Sequence, residues 1–341
     1  MYKIKIVTGS HSDTDFFRMT KNGDGISHDG RYKFYIDEDI DEPDFLVVRN
    51  RKFVREPLHY NVAKENTILA ISEPESILHF THTYTKQFAS VLGCQPKINH
   101  KNVTPAPAIL NWFVGLSGKG SEQITYDKLK GQTFPKKTRL ISVITSNKIQ
   151  TRGHAERIRF VQRLKERYGN KIDVFGRGIN DFDDRWDVLA PYKYHIAIEN
   201  CSEPHYWTEK LSECFLAGAF PIYYGCTNVG DYFPKGAYTS IDINDFDSAC
   251  AMIDKILAKD IYERALPYLY EAKDLVLEKY NALEMIAAHC NTLNPDATKS
   301  LITIRPEKKF LNLKQIFRDV IVSAFYKALY FFVRISMRSQ M

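Results

Sequence analysis

Short apolar runs alternate with amphipathic stretches along most of the chain. In the first half, residues 3–8 alternate apolar and polar, Phe45–Arg49 is a compact apolar run, and Thr67–Ile71 is another, closing at Ser72-Glu73-Pro74. All three read as strands. Residues 22–31 are loop by composition, and 36–44 form an acidic, solvated loop. Residues 115–131, rich in Gly, Ser and Lys, read as the connection between two halves. The second half is more regular. Strands are predicted at 139–145, 172–175, 195–198, 219–224 and 239–241, with helices at 156–168, 208–217 and 247–257, and one long helical stretch at 267–290. Strands alternating with helices imply parallel βαβ units, hence an α/β fold with a Rossmann-like sheet.

The stretch 310–334 stands apart. Leu313, Phe317, Val320, Ala324, Phe325, Ala328, Phe331 and Phe332 share one helical face, and Lys314, Arg318, Lys327 and Arg334 add positive charge. This is the pattern of a helix lying on an anionic membrane surface, with a helix packed on a protein surface as the plainer alternative. No apolar run is long enough to cross a bilayer.

Charge sharpens that division. The 341 residues carry a net charge of +6. Residues 305–341 hold eight basic and two acidic side chains, which leaves 39 of each sign in residues 1–304. The body is neutral, so the basic balance does not imply a nucleic-acid partner. Six cysteines without a CxxC pair suit reduced thiols in a cytosol. The chain opens on a strand pattern rather than a signal peptide, so a cytoplasmic protein resting on the inner face of the membrane is expected.

In open parallel sheets, ligands bind beyond the carboxyl ends of the strands. One such end carries Ser146-Asn147, with Arg157 on the following helix. The next carries Glu199-Asn200, followed by Tyr206, Thr208, Glu209 and Lys210. A third carries Tyr223, Tyr224 and Gly225. Thr208 can cap a helix whose free N–H groups, with Lys210, favour an anion. On those residues alone an ordinary capped helix is the plainer reading.

The surrounding pattern adds to it. His195-Ile-Ala-Ile-Glu-Asn200, Tyr206-Trp-Thr-Glu-Lys-Leu211 and Ala217-Gly-Ala-Phe-Pro-Ile-Tyr-Tyr-Gly225 resemble the donor-binding motif of the α1,3/1,4-fucosyltransferase family, and Arg157-Ile-Arg-Phe-Val-Gln-Arg-Leu164 is similar to it as well. The resemblance covers roughly residues 139–257 and is closest to the bacterial branch, which lacks an N-terminal anchor. It implies a GT-B architecture, two Rossmann-like domains facing a cleft: an acceptor-side domain with linker at 1–135, a donor-binding domain at 136–295, and the amphipathic helical tail at 305–341. It implies inverting transfer of L-fucose from GDP-fucose to a glycan bearing galactose or N-acetylglucosamine. Arg157 and Lys210 would hold the diphosphate, Asn200 and Tyr206 would line the donor site, and Glu209 would bind hydroxyls of the ribose or fucose. Ser146, Asn147 and Thr208 complete the expected donor site.

An inverting transferase needs a general base on the acceptor side. Ser72-Glu73-Pro74-Glu75 resembles the family's Glu-containing turn, which makes Glu73 the expected base and Glu75 the alternative; a plain helix-cap acid is the bland reading. Asp13-Thr-Asp15, Asp37-Glu-Asp39 and Asp181-Phe-Asp183 have the DxD form that holds a metal in other transferases. With Arg157 and Lys210 available, no metal and no cofactor is expected. Two competing functions keep the fold: transfer from another nucleotide sugar, and non-catalytic binding of a glycan or nucleotide sugar at a membrane.

Overall fold

The computed structural model describes residues 1–8, 14–50, 56–116, 123–145, 151–176 and 178–310. The described residues form thirteen strands: β1 Tyr2–Val7, β2 Tyr32–Ile36, β3 Phe45–Arg49, β4 Leu58–Val62, β5 Thr67–Ile71, β6 Ser90–Gly93, β7 Val103–Pro105, β8 Arg139–Ile144, β9 Asp173–Phe175, β10 Tyr192–Ile198, β11 Phe220–Tyr224, β12 Thr239–Ser240 and β13 Ser300–Ile304. Its α-helices are α1 Thr14–Phe17, α2 His82–Thr85, α3 Tyr126–Gly131, α4 Arg152–Tyr168, α5 Glu209–Ala217, α6 Phe246–Lys259, α7 Tyr262–Glu278 and α8 Ala282–Cys290. Two sheets are wholly parallel, in the orders β2-β1-β3-β5-β6-β7 and β12-β11-β10-β8-β9. In each, the strand order reverses once, between β1 and β3 in the first sheet and between β8 and β10 in the second. That reversal opens a crevice at the carboxyl ends of the flanking strands.

The second sheet follows from its sequence. β10 is buried along nearly its whole length, as a strand covered on both faces must be. α4 buries His154, Arg157, Ile158, Val161 and Leu164 on one side and starts at Thr151, whose hydroxyl caps it. α5 ends at Gly218, where φ is +69° and a Cβ would stand 2.4 Å from the Phe134 ring. Only glycine meets both demands of that turn into β11.

Several elements differ from the sequence expectation. β2, β4, β6, β7 and β13 are strands that the apolar pattern did not single out. The 267–290 stretch is two helices: α7 begins at Tyr262 and accommodates Pro267, and the chain breaks before α8. Asn281 makes the break, its side chain accepting the Leu283 N–H at 3.1 Å and donating to the Met19 carbonyl at 2.7 Å. Within 115–131, residues 126–131 are helix α3, with Tyr126 and Leu129 buried. The acidic 36–44 loop has internal work: Asp37 accepts the Thr8 N–H at 2.7 Å, and Asp44 accepts the Lys3 N–H at 2.7 Å. The amphipathic stretch from 311 onward lies outside the described residues.

The two halves are bonded together. The segment between them is held by Glu213, which accepts the Phe113 N–H at 2.5 Å, and by Asp184, which accepts the Gly115 N–H at 2.9 Å. Ala108 N–H donates to the Trp207 carbonyl. Late in the chain, β13 pairs antiparallel with β4, and His289 meets Ser90 at 2.8 Å.

Candidate functional site

The site is built at the β8–β10 reversal. Glu199, the residue after β10, is wholly buried. Its carboxylate accepts the Thr208 N–H at 2.8 Å, the Thr208 hydroxyl at 2.8 Å, and an ion pair from Lys210 Nζ at 3.3 Å. Thr208 is the N-cap of α5, and its hydroxyl also accepts the Lys210 N–H at 3.3 Å. Lys210 folds back over the first turn to reach Glu209 at 3.1 Å. Burial opposes the ammonium charge, but Glu199 and Glu209 overcome it and hold the Lys210 pKa above its ordinary value. Gly225 permits the clamp, because a Cβ there would stand 2.4 Å from Glu199 Cγ.

Arg157, from α4, donates to Asn200 Oδ1 at 2.7 Å. Its helix approaches closely because residue 153 is glycine: a Cβ there would stand 1.8 Å from the Asn200 carbonyl oxygen. Burial lowers the Arg157 pKa, and the Glu199, Tyr206 and Glu209 charges oppose that shift.

A third cation, Arg185, completes the network. It lies in a short turn at Arg185–Val188 and pairs with Glu213 at 2.8 Å and Glu209 at 3.4 Å. One guanidinium thus serves two buried carboxylates. Against the cost of burial, Lys210 and Arg185 hold Glu209 down to about 2. Burial raises Glu213, which Arg185 offsets only in part and the neighbouring Glu209 charge reinforces. The sequence reading passed over Arg185 and Glu213. The available signal was the i, i+4 spacing of Glu209 and Glu213, which places both carboxylates on one helix face.

Arg157, Arg185 and Lys210 line a cavity of about 100 Å³ with Glu213, Thr145 and His195. His195 is buried and its pKa falls to about 3, by burial and then by the Arg185 charge, so it is neutral. Ser142 Oγ donates to the Val188 carbonyl at 3.0 Å and meets His195 Nδ1 at 2.8 Å. His195 Nδ1 therefore carries the ring proton. The cavity wall has three cations to one carboxylate, with Glu199 and Glu209 behind it, and so presents donors to an anion.

Of the residues expected at the donor site, Arg157, Asn200, Thr208, Glu209 and Lys210 form this one network. Ser146 and Asn147 lie outside the described residues. Tyr206 is only 1% exposed and packs among Val48, Ile71, Phe80 and Cys94 of the first half. Glu73 follows β5 on that side. It is partly buried, its backbone carbonyl accepts the Gln95 amide at 2.9 Å, and its charge acts on Tyr206 and on Arg49. The chain after Glu73 is a turn, closed by Leu78 N–H on the Pro74 carbonyl, and not the start of a helix. Glu75 is exposed and pairs with His79 at 3.3 Å. Of the DxD triplets, Asp37 is bonded to Thr8, Asp181 accepts the Gly178 N–H at 2.9 Å, and Asp13 lies outside the described residues.

Comparison with known proteins places this network inside a recognised domain. The sequence profile of glycosyltransferase family 10 (fucosyltransferase) C-term matches residues 134–299, which contain the whole network. Alpha-(1,3)-fucosyltransferase 4 of Bos taurus is 29% identical over 164 residues, 42% of this chain and 39% of that protein. Alpha-(1,3)-fucosyltransferase B of Drosophila melanogaster is 38% identical over 66 residues, 19% of this chain and 15% of that protein. The chain thus matches well under two thirds of the length of these relatives. A solved α1,3-fucosyltransferase structure with GDP has the same fold, with a TM-score of 0.52 at 17% identity, covering 85% of this chain and 89% of that one. A second, with GDP-fucose, gives 0.51 at 15% identity, over 85% and 89%. The architecture is GT-B, two parallel-sheet units, as the sequence resemblance implied. Residues 134–299 of this chain thus match the C-terminal profile of glycosyltransferase family 10, the fucosyltransferases.

Proposed function

We propose that this protein transfers L-fucose from GDP-fucose to a hydroxyl of an acceptor glycan, inverting the anomeric carbon and forming an α1,3 or α1,4 linkage. The observation that carries the reading is the cation-lined cavity at the β8–β10 reversal, inside the segment the family profile matches. The acceptor oxygen bonds to the fucose anomeric carbon as the bond to the β-phosphate oxygen breaks. Glu73 takes the hydroxyl proton, and GDP leaves with the bonding electrons. Arg157 and Lys210 stabilise the charge that grows on the diphosphate, which is where preorganised cations lower a barrier most. These cations make a metal unnecessary to the scheme. The acceptor class is a glycan bearing galactose or N-acetylglucosamine.

GDP release from GDP-fucose, measured with and without a lacto-type oligosaccharide, tests the reading. Acceptor-dependent release is expected, and it should survive EDTA. Arg157→Ala and Lys210→Ala should each lower kcat/KM by roughly 30- to 1000-fold, the scale for one lost oxyanion contact. Lys210→Arg should also be poor, since a planar fork does not replace a compact ammonium. Release from a different nucleotide sugar alone would move the donor assignment, and binding without release would mark a glycan- or nucleotide-sugar-binding protein.

We infer further that residues 306–341 rest on the anionic inner face of a membrane. The support is the concentration of the net positive charge and of a broad apolar helical pattern in that stretch. Among the described residues, no helix is long and apolar enough to cross a membrane. Flotation with anionic vesicles at low salt, lost when 306–341 is deleted, is the expected result; failure of the full chain to float would overturn it.

A further inference from the structure

Thr145 follows β8 and lines the cavity beside Arg157, Arg185 and Lys210. It is 5% exposed, and its hydroxyl has no hydrogen-bond partner among the described residues. The other polar side chains of the wall are bonded: Arg157 to Asn200, Arg185 to Glu213, Lys210 to Glu199, and His195 to Ser142. A buried hydroxyl left unpaired costs stability that a valine of nearly the same shape would not. A strand end in a covered sheet accepts valine readily. A threonine here therefore has a use outside the protein's own bonding.

The wall restricts what that use is. Arg157, Arg185 and Lys210 can only donate, so they recognise a group of acceptor oxygens. A phosphoryl group presents such a set of oxygens.

We infer that the Thr145 hydroxyl is a binding residue for the nucleotide, donating a hydrogen bond to a phosphoryl oxygen seated between Arg157, Arg185 and Lys210. This rests on the proposed reading that Arg157 and Lys210 hold a nucleoside diphosphate. It adds a neutral donor on the strand side, opposite the start of α5. A short, β-branched side chain at a strand end is held by the backbone, so this donor loses little freedom on binding.

Calorimetric titration of the full chain with GDP and with inorganic pyrophosphate tests this, using Thr145→Val, Thr145→Ser, Arg157→Ala and Lys210→Ala. Thr145→Val should weaken both ligands about tenfold, the scale of one hydrogen bond to a charged group. Thr145→Ser should stay within about twofold of the original chain. The melting temperature of ligand-free Thr145→Val should be unchanged or higher, because no internal bond is lost. If Thr145→Val binds GDP within twofold, the hydroxyl serves only a water and the inference fails. A lower melting temperature with unchanged affinity would assign it a structural bond and fail it equally. Loss of affinity in Arg157→Ala and Lys210→Ala without loss in Thr145→Val overturns this inference alone. No effect of any of the substitutions overturns the nucleoside-diphosphate reading beneath it.

Discussion

The carboxylate of Glu199 accepts both the backbone N–H and the hydroxyl of Thr208, each at 2.8 Å. One side chain at the end of β10 thereby fixes the start of α5, the helix that carries Glu209, Lys210 and Glu213. Glu199 is wholly buried, so these bonds act without competition from water. Glu199→Gln keeps an acceptor for the N–H but takes an anion from Lys210. It should cost about 1–3 kcal/mol of stability and weaken GDP binding as the first turn of α5 loosens. Urea melts paired with calorimetry check both, and an unchanged melt would show that Thr208 caps the helix without this clamp.

Arg185 is the shared cation of Glu209 and Glu213. Arg185→Met leaves two buried carboxylates side by side, and breaking such a pair costs about 3–5 kcal/mol. The double variant Arg185→Met with Glu213→Gln should recover part of that loss, since one of the repelling charges is gone. Equal stability of the single and double variants would place the cost in lost packing over the Phe113 ring, 5.0 Å from the guanidinium carbon.

Gly153→Ala tests the close approach of α4 to the Glu199-Asn200 turn. Its Cβ would collide with the Asn200 carbonyl, a backbone atom that cannot swing aside. The helix start must move, stretching the 2.7 Å bond from Arg157 to Asn200. Expected are a loss of roughly 1–3 kcal/mol, the usual cost of overpacking, and a weaker GDP isotherm. Normal affinity in this variant would show that Arg157 does not depend on that turn.

Glu73 and Glu75 separate by burial. Glu73→Ala should lower turnover by roughly 10²–10⁴-fold, the range for a general base, with GDP affinity unchanged. Glu75→Ala, in a carboxylate whose side chain is 61% exposed, should change the rate only a few-fold. Initial rates with saturating donor decide it, and the reverse ranking would make Glu75 the base.

Glu284 makes stability depend on pH. It sits on α8 against His28, Glu278 and Asp29, and its pKa is raised from 4.5 to about 7, first by burial and then by the Asp29 and Glu278 charges, against the His28 N–H bond. The folded protein holds this proton where the unfolded chain releases it. The stability from Glu284 is therefore complete below about pH 4.5 and is lost as pH rises toward 7. At 1.36 kcal/mol per unit, the loss is at most roughly 3–4 kcal/mol. His28, whose pKa burial lowers, acts in the opposite sense as pH falls below 6.5. The difference between the original chain and Glu284→Gln isolates the carboxyl. The variant should gain relative stability between pH 5 and 7 in denaturant melts, and a constant difference would remove Glu284 from the titration.

The order of strands and helices across residues 139–257 was legible because it rests on local pattern. The continuous apolar runs that become β8, β10 and β11, the amphipathic face of α4, and Thr208 as a cap each express the geometry of a few adjacent residues. The residue types of the candidate site were legible for the same reason, since Arg157, Asn200, Glu209 and Lys210 stand beside those elements. What local pattern does not carry is pairing over distance. β4 is mixed in burial and is completed by β13, more than two hundred residues later. The break before α8 depends on Asn281 reaching Met19. Arg185 matters because the fold sets it against Glu209 and Glu213, and Thr145 because the fold buries its hydroxyl beside three cations. Burial and charge partnership are properties of the packed chain. They raise the energetic weight of groups that, in the linear sequence, look like ordinary surface residues.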